Sequence, residues 1–313
     1  MSVIHVAAAA IEDGEGRILI TKRPQQVHQG GLWEFPGGKL ESGETVLQGL
    51  ERELREELDI KPLRTEPLIR ITHHYEDRSI LLDVYRVLGY AGEPKGMEGQ
   101  PLAWSTPEAM NPEDFPAADR PIINALQLPD RYLITGADPF QPGLFIARLE
   151  QSLRCGLRLV QLRAHQLDDE AYLALAETAR DVCRAYAARL LLNRPEYRET
   201  WVGFSDGIHL TSHQLKKMRA RPADADWVGA SCHSLDELQR AERLGLEYAL
   251  LSPVQATASH PDASPLGWDR FAAWVAPLNL PIYALGGMGD ATCSEAKRYG
   301  AQGVAAISGF WPD

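Results

Sequence analysis

Cysteine is scarce and poorly placed for pairing. Only Cys155, Cys183, Cys232 and Cys293 occur in 313 residues; none lies in the first 154, and no two form a CxxC pair. That argues against a disulfide scaffold and a zinc ribbon, and fits a protein of a reducing compartment. Long apolar runs are missing as well, since nothing approaches the ~18 residues of a membrane helix. The N-terminus is apolar but lacks a basic start and meets Glu12 and Asp13 at once, so it reads as a first strand and not as a signal peptide. A cytoplasmic location with no membrane partner is expected. Basic charge is in deficit too: 32 Lys+Arg stand against 43 Asp+Glu, a net charge of -11. Duplex nucleic acid is gripped through basic patches, so no duplex partner is expected. A nucleotide substrate stays open, because a divalent cation can mediate between carboxylates and phosphates.

What is present suits a globular chain, with 44% hydrophobic and 24% charged residues. The length is about twice a ~150-residue domain, so two domains are expected. Residues 1–128 show a mixed pattern. Strands are predicted at 3–11 and 17–22, a Gly-rich loop at 30–43, a helix at 45–58, strands near 68–75 and 80–88, and a short helix near 119–126. From Arg131 the rhythm changes. Apolar runs at 131–135, 157–163, 189–193, 207–210, 227–231, 247–251, 281–285 and 302–307 alternate with helical stretches such as 168–188, 234–244 and 290–299. Strands and helices alternating in this way predict a parallel (β/α)8 barrel over 131–313. The chain stops soon after the last run, so the barrel is expected to lack its final helix. Residues 1–128 carry 13 Lys+Arg and 21 Asp+Glu, leaving 19 and 22 for the remainder. Most of the surplus acidity therefore belongs to the first domain.

Within that acidity lies a pattern. Glu53, Glu56 and Glu57 are spaced i, i+3, i+4, which places three carboxylates on one helical face. Like charges so placed repel, and a hard cation such as Mg²⁺, which takes oxygen ligands, relieves the repulsion. Taken alone, the three fit a solvated acidic face equally well. Arg52 beside them can orient a carboxylate, and Gly37-Gly38 lets the backbone approach closely.

The longer string resembles the Nudix box, with Gly38, Glu44, Arg52, Glu53, Leu54, Glu56, Glu57 and Ile60 in register. Asp59 stands where the pattern has Gly, a helix-ending position that favours left-handed backbone. Trp33-Glu34-Phe35-Pro36-Gly37-Gly38-Lys39, the stretch from Gly92 to Pro101 and the stretch from Asp114 to Pro121 extend the resemblance to MutT-type Nudix enzymes, which remove oxidised guanine nucleotides. The resemblance implies an α/β/α sandwich with a mixed sheet. It also implies Mg²⁺ as cofactor, with Mn²⁺ an expected substitute, bound by Glu53, Glu56, Glu57, Glu98 and the Gly37 carbonyl. It further implies hydrolysis of a nucleoside triphosphate to the monophosphate and pyrophosphate, 8-oxo-dGTP above all. Arg52, Glu53 and Glu98 would be the catalytic set, with the base either Glu53 or Glu98. Gly38 and Lys39 would lie near the phosphates, and Arg23, Phe35, Arg78 and residue 119 would line the nucleotide pocket. The family has Asn where this chain has Asp119. An ionised carboxylate accepts from N7–H of 8-oxoguanine but repels O6. Either Asp119 binds protonated, another group meets O6, or the preferred nucleotide differs.

The second half carries Tyr132-Leu133-Ile134-Thr135, Gln161-Leu162-Arg163, Asp206 to Leu210, Gly229 to Ser234, Ala284 to Met288 and Gly303 to Ser308. In this order they resemble thiamine-phosphate synthase and the thiazole tautomerase TenI. The resemblance implies a TIM-like barrel that takes a thiazole- or thiamine-phosphate-like ligand near Gln161, Arg163, Asn193, His209, Ser231, Gly286, Gly287 and Ser308. Three positions depart from the synthase pattern: His165 and His260 replace lysines, and Arg194 replaces a metal-binding Asp. The expectation is a phosphate-binding barrel, TenI-like or degenerate, in preference to an active synthase. His209 and His213 have zinc-ligand spacing, but no third ligand accompanies them.

Overall fold

The computed structural model describes residues 3–26, 29–75, 78–196, 198–257 and 264–312, apart from the side chains of Glu199 and Val202. The chain folds as two units: Met1–Gln127 with Pro277–Asn279, and Leu128–Ala276 with Leu280–Asp313.

The first unit is built on β1 (Val3–Glu12), β2 (Ile18–Lys22), β3 (Trp33–Glu34), β4 (Gly37–Lys39), β5 (Lys61–His74), β6 (Ser79–Ala91) and β7 (Leu102–Ser105). The sheet order is β3-β2-β1-β6-β5, with β4 on β1 and β7 on β2. Only β1 and β6 run parallel among these pairs, so the sheet is mixed. Period-2 alternation divides β1 between two cores. Ala7, Ala9 and Ile11 face Leu50, Leu54 and Leu58 of α1 (Val46–Leu58). Ala8 and Ala10 face Ile122, Ile123 and Leu126 of α2 (Arg120–Gln127). The result is a helix on each face of one sheet.

α1 forms because its apolar residues recur every four positions and its start is capped. Thr45 accepts from the Gln48 N–H, and the Gln48 side chain reaches back to the Thr45 N–H, a reciprocal capping box. At the far end Asp59 adopts left-handed backbone, φ 56° and ψ 34°, where the Nudix pattern has glycine. The predicted Gly-rich loop contains the short strands β3 and β4, and β5 and β6 are longer than the sequence suggested.

The second unit is a closed barrel of eight parallel strands: β8 (Arg131–Ile134), β9 (Leu159–Arg163), β10 (Arg189–Asn193), β11 (Gly207–Leu210), β12 (Trp227–Cys232), β13 (Tyr248–Leu251), β14 (Ile282–Leu285) and β15 (Gly303–Ala306). Around it run α3 (Pro142–Arg154), α4 (Asp169–Ala185), α5 (Ser212–Lys217), α6 (Leu235–Arg243), α7 (Trp268–Val275) and α8 (Asp290–Arg298). Among the described residues no helix follows β15. Phe310 and Trp311 fold back on α3 instead: Ser152 donates to the Phe310 carbonyl at 2.8 Å, and the Trp311 ring lies 4.8 Å from that of Phe145.

The barrel interior is closed by a polar network among aromatic rings. The Tyr132 and Tyr248 hydroxyls are 2.9 Å apart, and Tyr132 donates to Gln161 Oε1 at 3.3 Å. His209, fully buried, meets Tyr248 through Nδ1 at 3.0 Å and Ser231 through Nε2 at 2.9 Å. Burial pushes the His209 pKa from 6.5 down to about 3, so the folded ring stays neutral. Once unfolded, the same ring takes a proton near 6.5. Its contribution to stability is therefore complete above that pH and is lost as pH falls from 6.5 towards 3. The slope would reach about 1.4 kcal/mol per pH unit. Hydrogen-exchange protection of the β11 and β12 amides should fall over this range. In His209→Gln it should start lower at pH 7 and depend less on pH; parallel pH profiles would refute the assignment.

Candidate functional sites

Arg52, on the exposed side of α1, uses all five of its N–H groups. Nε and Nη2 fork onto Glu44 at 2.8 and 3.0 Å, Nη1 donates to Glu53 at 2.8 Å and to Glu56 at 3.1 Å, and Nη2 also reaches the Lys39 carbonyl at 3.0 Å. These bonds hold the Arg52 pKa well above its ordinary value and draw Glu44 down to about 2. Lysine has no such planar fork and could not hold the same set.

Behind this arginine the backbone is tight. A Cβ on Gly38 would lie 2.3 Å from the Glu53 carboxyl carbon, so glycine is what lets Glu53 lie against the loop. Glu57 accepts from the Gly37 N–H at 3.1 Å. Burial, with the charges of Glu34, Glu53 and Glu98 around it, pushes the Glu57 carboxyl up to about 8. Glu98 is exposed on the loop between β6 and β7, with its N–H donating to Gln100. Lys39 is exposed at the end of β4.

The donors here are hard carboxylate oxygens, and Glu57 carries more negative charge around it than the protein neutralises. In chemistry this fits a divalent cation. Among the described residues no three His, Cys, Asp or Glu side chains are gathered at ion-holding distance. Arg52 holds Glu53 and Glu56 in this arrangement.

A second group lies at the start of α2. Asp119 is buried, accepts from the Phe35 N–H, and feels Glu34 and Arg23. Burial first, then the Glu34 charge, pushes its carboxyl up to about 7. Glu34 is ion-paired with Arg23, yet burial still raises its pKa. Phe35 stacks on Phe115 at 5.7 Å and is part of the core. Tyr75 senses Asp119, Arg23 and Arg78, and its hydroxyl meets the Gln29 side chain. The structure thus groups Arg23, Phe35, Arg78 and Asp119, and adds Glu34 and Tyr75, which the sequence pattern does not single out. Glu34 is the more discoverable, since it stands in the Trp33–Lys39 stretch and on a strand paired to β2.

In the barrel, Gln161, Asn193 and His209 are at most 3% exposed and engage one another or the core. His209 has both ring nitrogens bonded within the protein, so it supports the interior and does not present a free edge to a ligand. Arg163 is exposed at the end of β9, and Asn193 ends β10. Gly286 and Gly287 take φ of 101° and 69°, and a Cβ on either would press on Pro253 or on Gln255 and Ala256. Ser308 is exposed just beyond β15, and Gly309 approaches Gly289 at the head of α8. Ser259 and His260 lie outside the described residues.

Two family profiles match these two folds. The one described as NUDIX domain covers residues 7–125, and the one described as thiamine monophosphate synthase covers 131–310. The chain belongs to both families, a MutT-like Nudix unit joined to a thiamine-phosphate synthase/TenI barrel. Its first part is that of a hydrolase acting on pyrophosphate bonds, a class that generally uses divalent metals.

Among individual proteins, it is 38% identical to the 8-oxo-dGTP diphosphatase of Escherichia coli (strain K12) over 127 residues, covering 41% of this chain and 98% of that one. The CTP pyrophosphohydrolase of the same organism is 40% identical over 125 residues, 40% of this chain and 92% of that one. The barrel half is 33% identical over 186 residues to "Putative thiamine-phosphate synthase 2" of Aquifex aeolicus (strain VF5), covering 59% of this chain and 99% of that one. No described helix is long and apolar enough to cross a membrane.

Because Gly38 makes room for Glu53, Gly38→Ala should lower turnover about 10²-fold by misplacing one carboxylate. Chemical denaturation of the first unit should shift by less than about 1 kcal/mol. Comparable losses in turnover and stability would mean that Gly38 serves folding alone.

Proposed function

We propose that the first unit hydrolyses a nucleoside triphosphate to the monophosphate and pyrophosphate, with 8-oxo-dGTP as its substrate. The observation that supports this reading is the Glu57 carboxylate, bonded to the Gly37 N–H and raised in pKa by burial and by the charges of Glu34, Glu53 and Glu98. Four elements supply the residues around it: β3, β4, α1 and the loop before β7. Glu53, Glu56, Glu57, Glu98 and the Gly37 carbonyl would hold Mg²⁺ or Mn²⁺. Such an ion, when bound, neutralises phosphate charge and makes water more acidic. Glu53 or Glu98 takes the proton of the attacking water, while Arg52 positions Glu53 and Glu56. Lys39 and Arg23 face the phosphates and the nucleoside.

Asp119 reads the base. A protonated carboxyl donates to O6 and accepts from the N7–H of 8-oxoguanine, which satisfies both edge groups. The rise of its pKa to about 7 supports the protonated form of the three alternatives left by the sequence. The ionised form instead accepts from an amino group such as N4 of cytosine. That, with the 40% identity to a CTP pyrophosphohydrolase, favours a cytosine nucleotide as the second reading.

The barrel is read as a phosphate-binding unit for a thiazole- or thiamine-phosphate-like ligand, TenI-like or degenerate. Thiamine phosphate formation by the full chain would instead establish the bifunctional alternative.

Pyrophosphate release should be measured with 8-oxo-dGTP, dGTP, CTP and ADP-ribose in Mg²⁺. Glu53→Gln should cost about 10²–10⁴-fold with the preferred nucleotide. If no nucleotide is cleaved, the reading fails. The ratio of kcat/KM for 8-oxo-dGTP over CTP should fall as pH rises through about 7, by up to about tenfold per unit. Asp119→Asn should flatten that profile in favour of 8-oxo-dGTP. A flat ratio in the wild type would remove Asp119 as the base reader.

A further inference from the structure

Among the described residues no three metal-ligating side chains gather at the end of β10. Arg194 follows Asn193 there, and its guanidinium is fixed by bonds within the protein. It donates to the Leu167 carbonyl at 2.8 Å, the Ala164 carbonyl at 3.3 Å and Asp169 at 2.8 Å. It also lies over the rings of Tyr172 and Trp201, at 4.7 and 5.7 Å. A cation occupies the position, and packing prevents it from being exchanged for a carboxylate by a simple rotation.

Beside it, Asn193 and His165 form an ordered pair. Asn193 Nδ2 donates to the His209 carbonyl at 2.7 Å, which leaves Oδ1 as the atom facing His165 Nε2 at 2.9 Å. Oδ1 can only accept, so Nε2 carries a hydrogen. The neutral ring is thereby fixed in one tautomer, with Nδ1 as its remaining titratable atom. The charges that face His165 are Arg163 from β9 and Arg194 from the end of β10, both positive. Burial and these two arginines hold the ring below its ordinary pKa. Among the described residues the Arg163 side chain has no ion-pair partner. An uncompensated cation, a neutral imidazole and an absent carboxylate make a site short of negative charge, at the strand ends where barrel enzymes bind ligands.

We propose that the barrel takes a phosphate monoester directly, without a divalent cation, with Arg163 as its fixed charge and His165 gaining a proton as the dianion enters. A dianion placed beside a neutral imidazole raises its proton affinity, so binding and protonation are linked. The synthase pattern's lysine would be charged at all times. Histidine here makes affinity depend on pH, rising as pH falls through the range in which the bound ring titrates. This inference rests on reading the barrel as a phosphate-binding unit.

Inorganic sulfate is a suitable probe, because it is a dianion that does not itself titrate between about pH 5 and 8. Calorimetry on the full chain in EDTA, in buffers of different ionisation heat, reads proton uptake. Ring ¹H–¹⁵N spectra identify the histidine. The expected result is uptake of up to about one proton at His165 Nδ1, unchanged by added Mg²⁺. His165→Gln should abolish the uptake, and Arg163→Gln should weaken sulfate about tenfold or more, roughly 1.4 kcal/mol. Binding that requires Mg²⁺, uptake that survives in His165→Gln, or affinity unchanged in Arg163→Gln would overturn the proposal while leaving a phosphate-binding barrel. Sulfate that perturbs no barrel residue would overturn both.

Discussion

Carboxylates that share a poorly hydrated space must be neutralised, and the first unit is arranged around that requirement. Arg52 neutralises Glu44, Glu53 and Glu56, while Glu57, which accepts from the Gly37 N–H, is left with its burden. The division is geometric: a guanidinium has five donors in one plane, and those five are already taken. Further charge at this place must come from outside the protein or from a proton. The same physics acts at Asp119, where Glu34 pairs with Arg23 and burial pushes the carboxyl beside it up to about 7.

The barrel mouth poses the opposite problem. At the ends of β9 and β10 the charges of Arg163 and Arg194 act on His165, with Arg194 paired to Asp169. The first site therefore gathers negative charge and the barrel mouth gathers arginines, although the second unit as a whole is also net acidic. On the proposed reading, a phosphate would reach the first through a cation and meet the second directly.

The barrel strands are legible in the sequence because parallel strands, covered on both faces, read as short continuous apolar runs between helices. The first sheet is harder. Lys61 to Pro67 is polar and contains two prolines, which reads as loop. In the fold it belongs to β5, an edge strand with irregular register at Pro62, Arg64 and Pro67, where missing N–H groups are tolerated. β3 and β4, at two and three residues, are too short to show a period. Glutamate spacing marks the face of α1, but the bonds of Arg52 depend on where Lys39 and Glu44 return in space. The resemblance marks His209 as a ligand contact, yet it does not reveal that Tyr248 and Ser231 take both ring nitrogens.

The end of α1 shows how a sequence pattern and a conformation can part company. Asp59 holds left-handed backbone and donates its N–H to Arg55, and Ile60 donates to Leu54, so the helix closes as a glycine would close it. What the fold requires at this point is a torsion angle, and an aspartate can supply it at modest cost. The glutamates are placed by their carboxylate bonds to Arg52 and Gly37, whereas residue 59 is set by backbone shape. A residue other than glycine can therefore end the helix while the carboxylate face keeps its place, and a pattern that insists on glycine at this position would pass over such a chain.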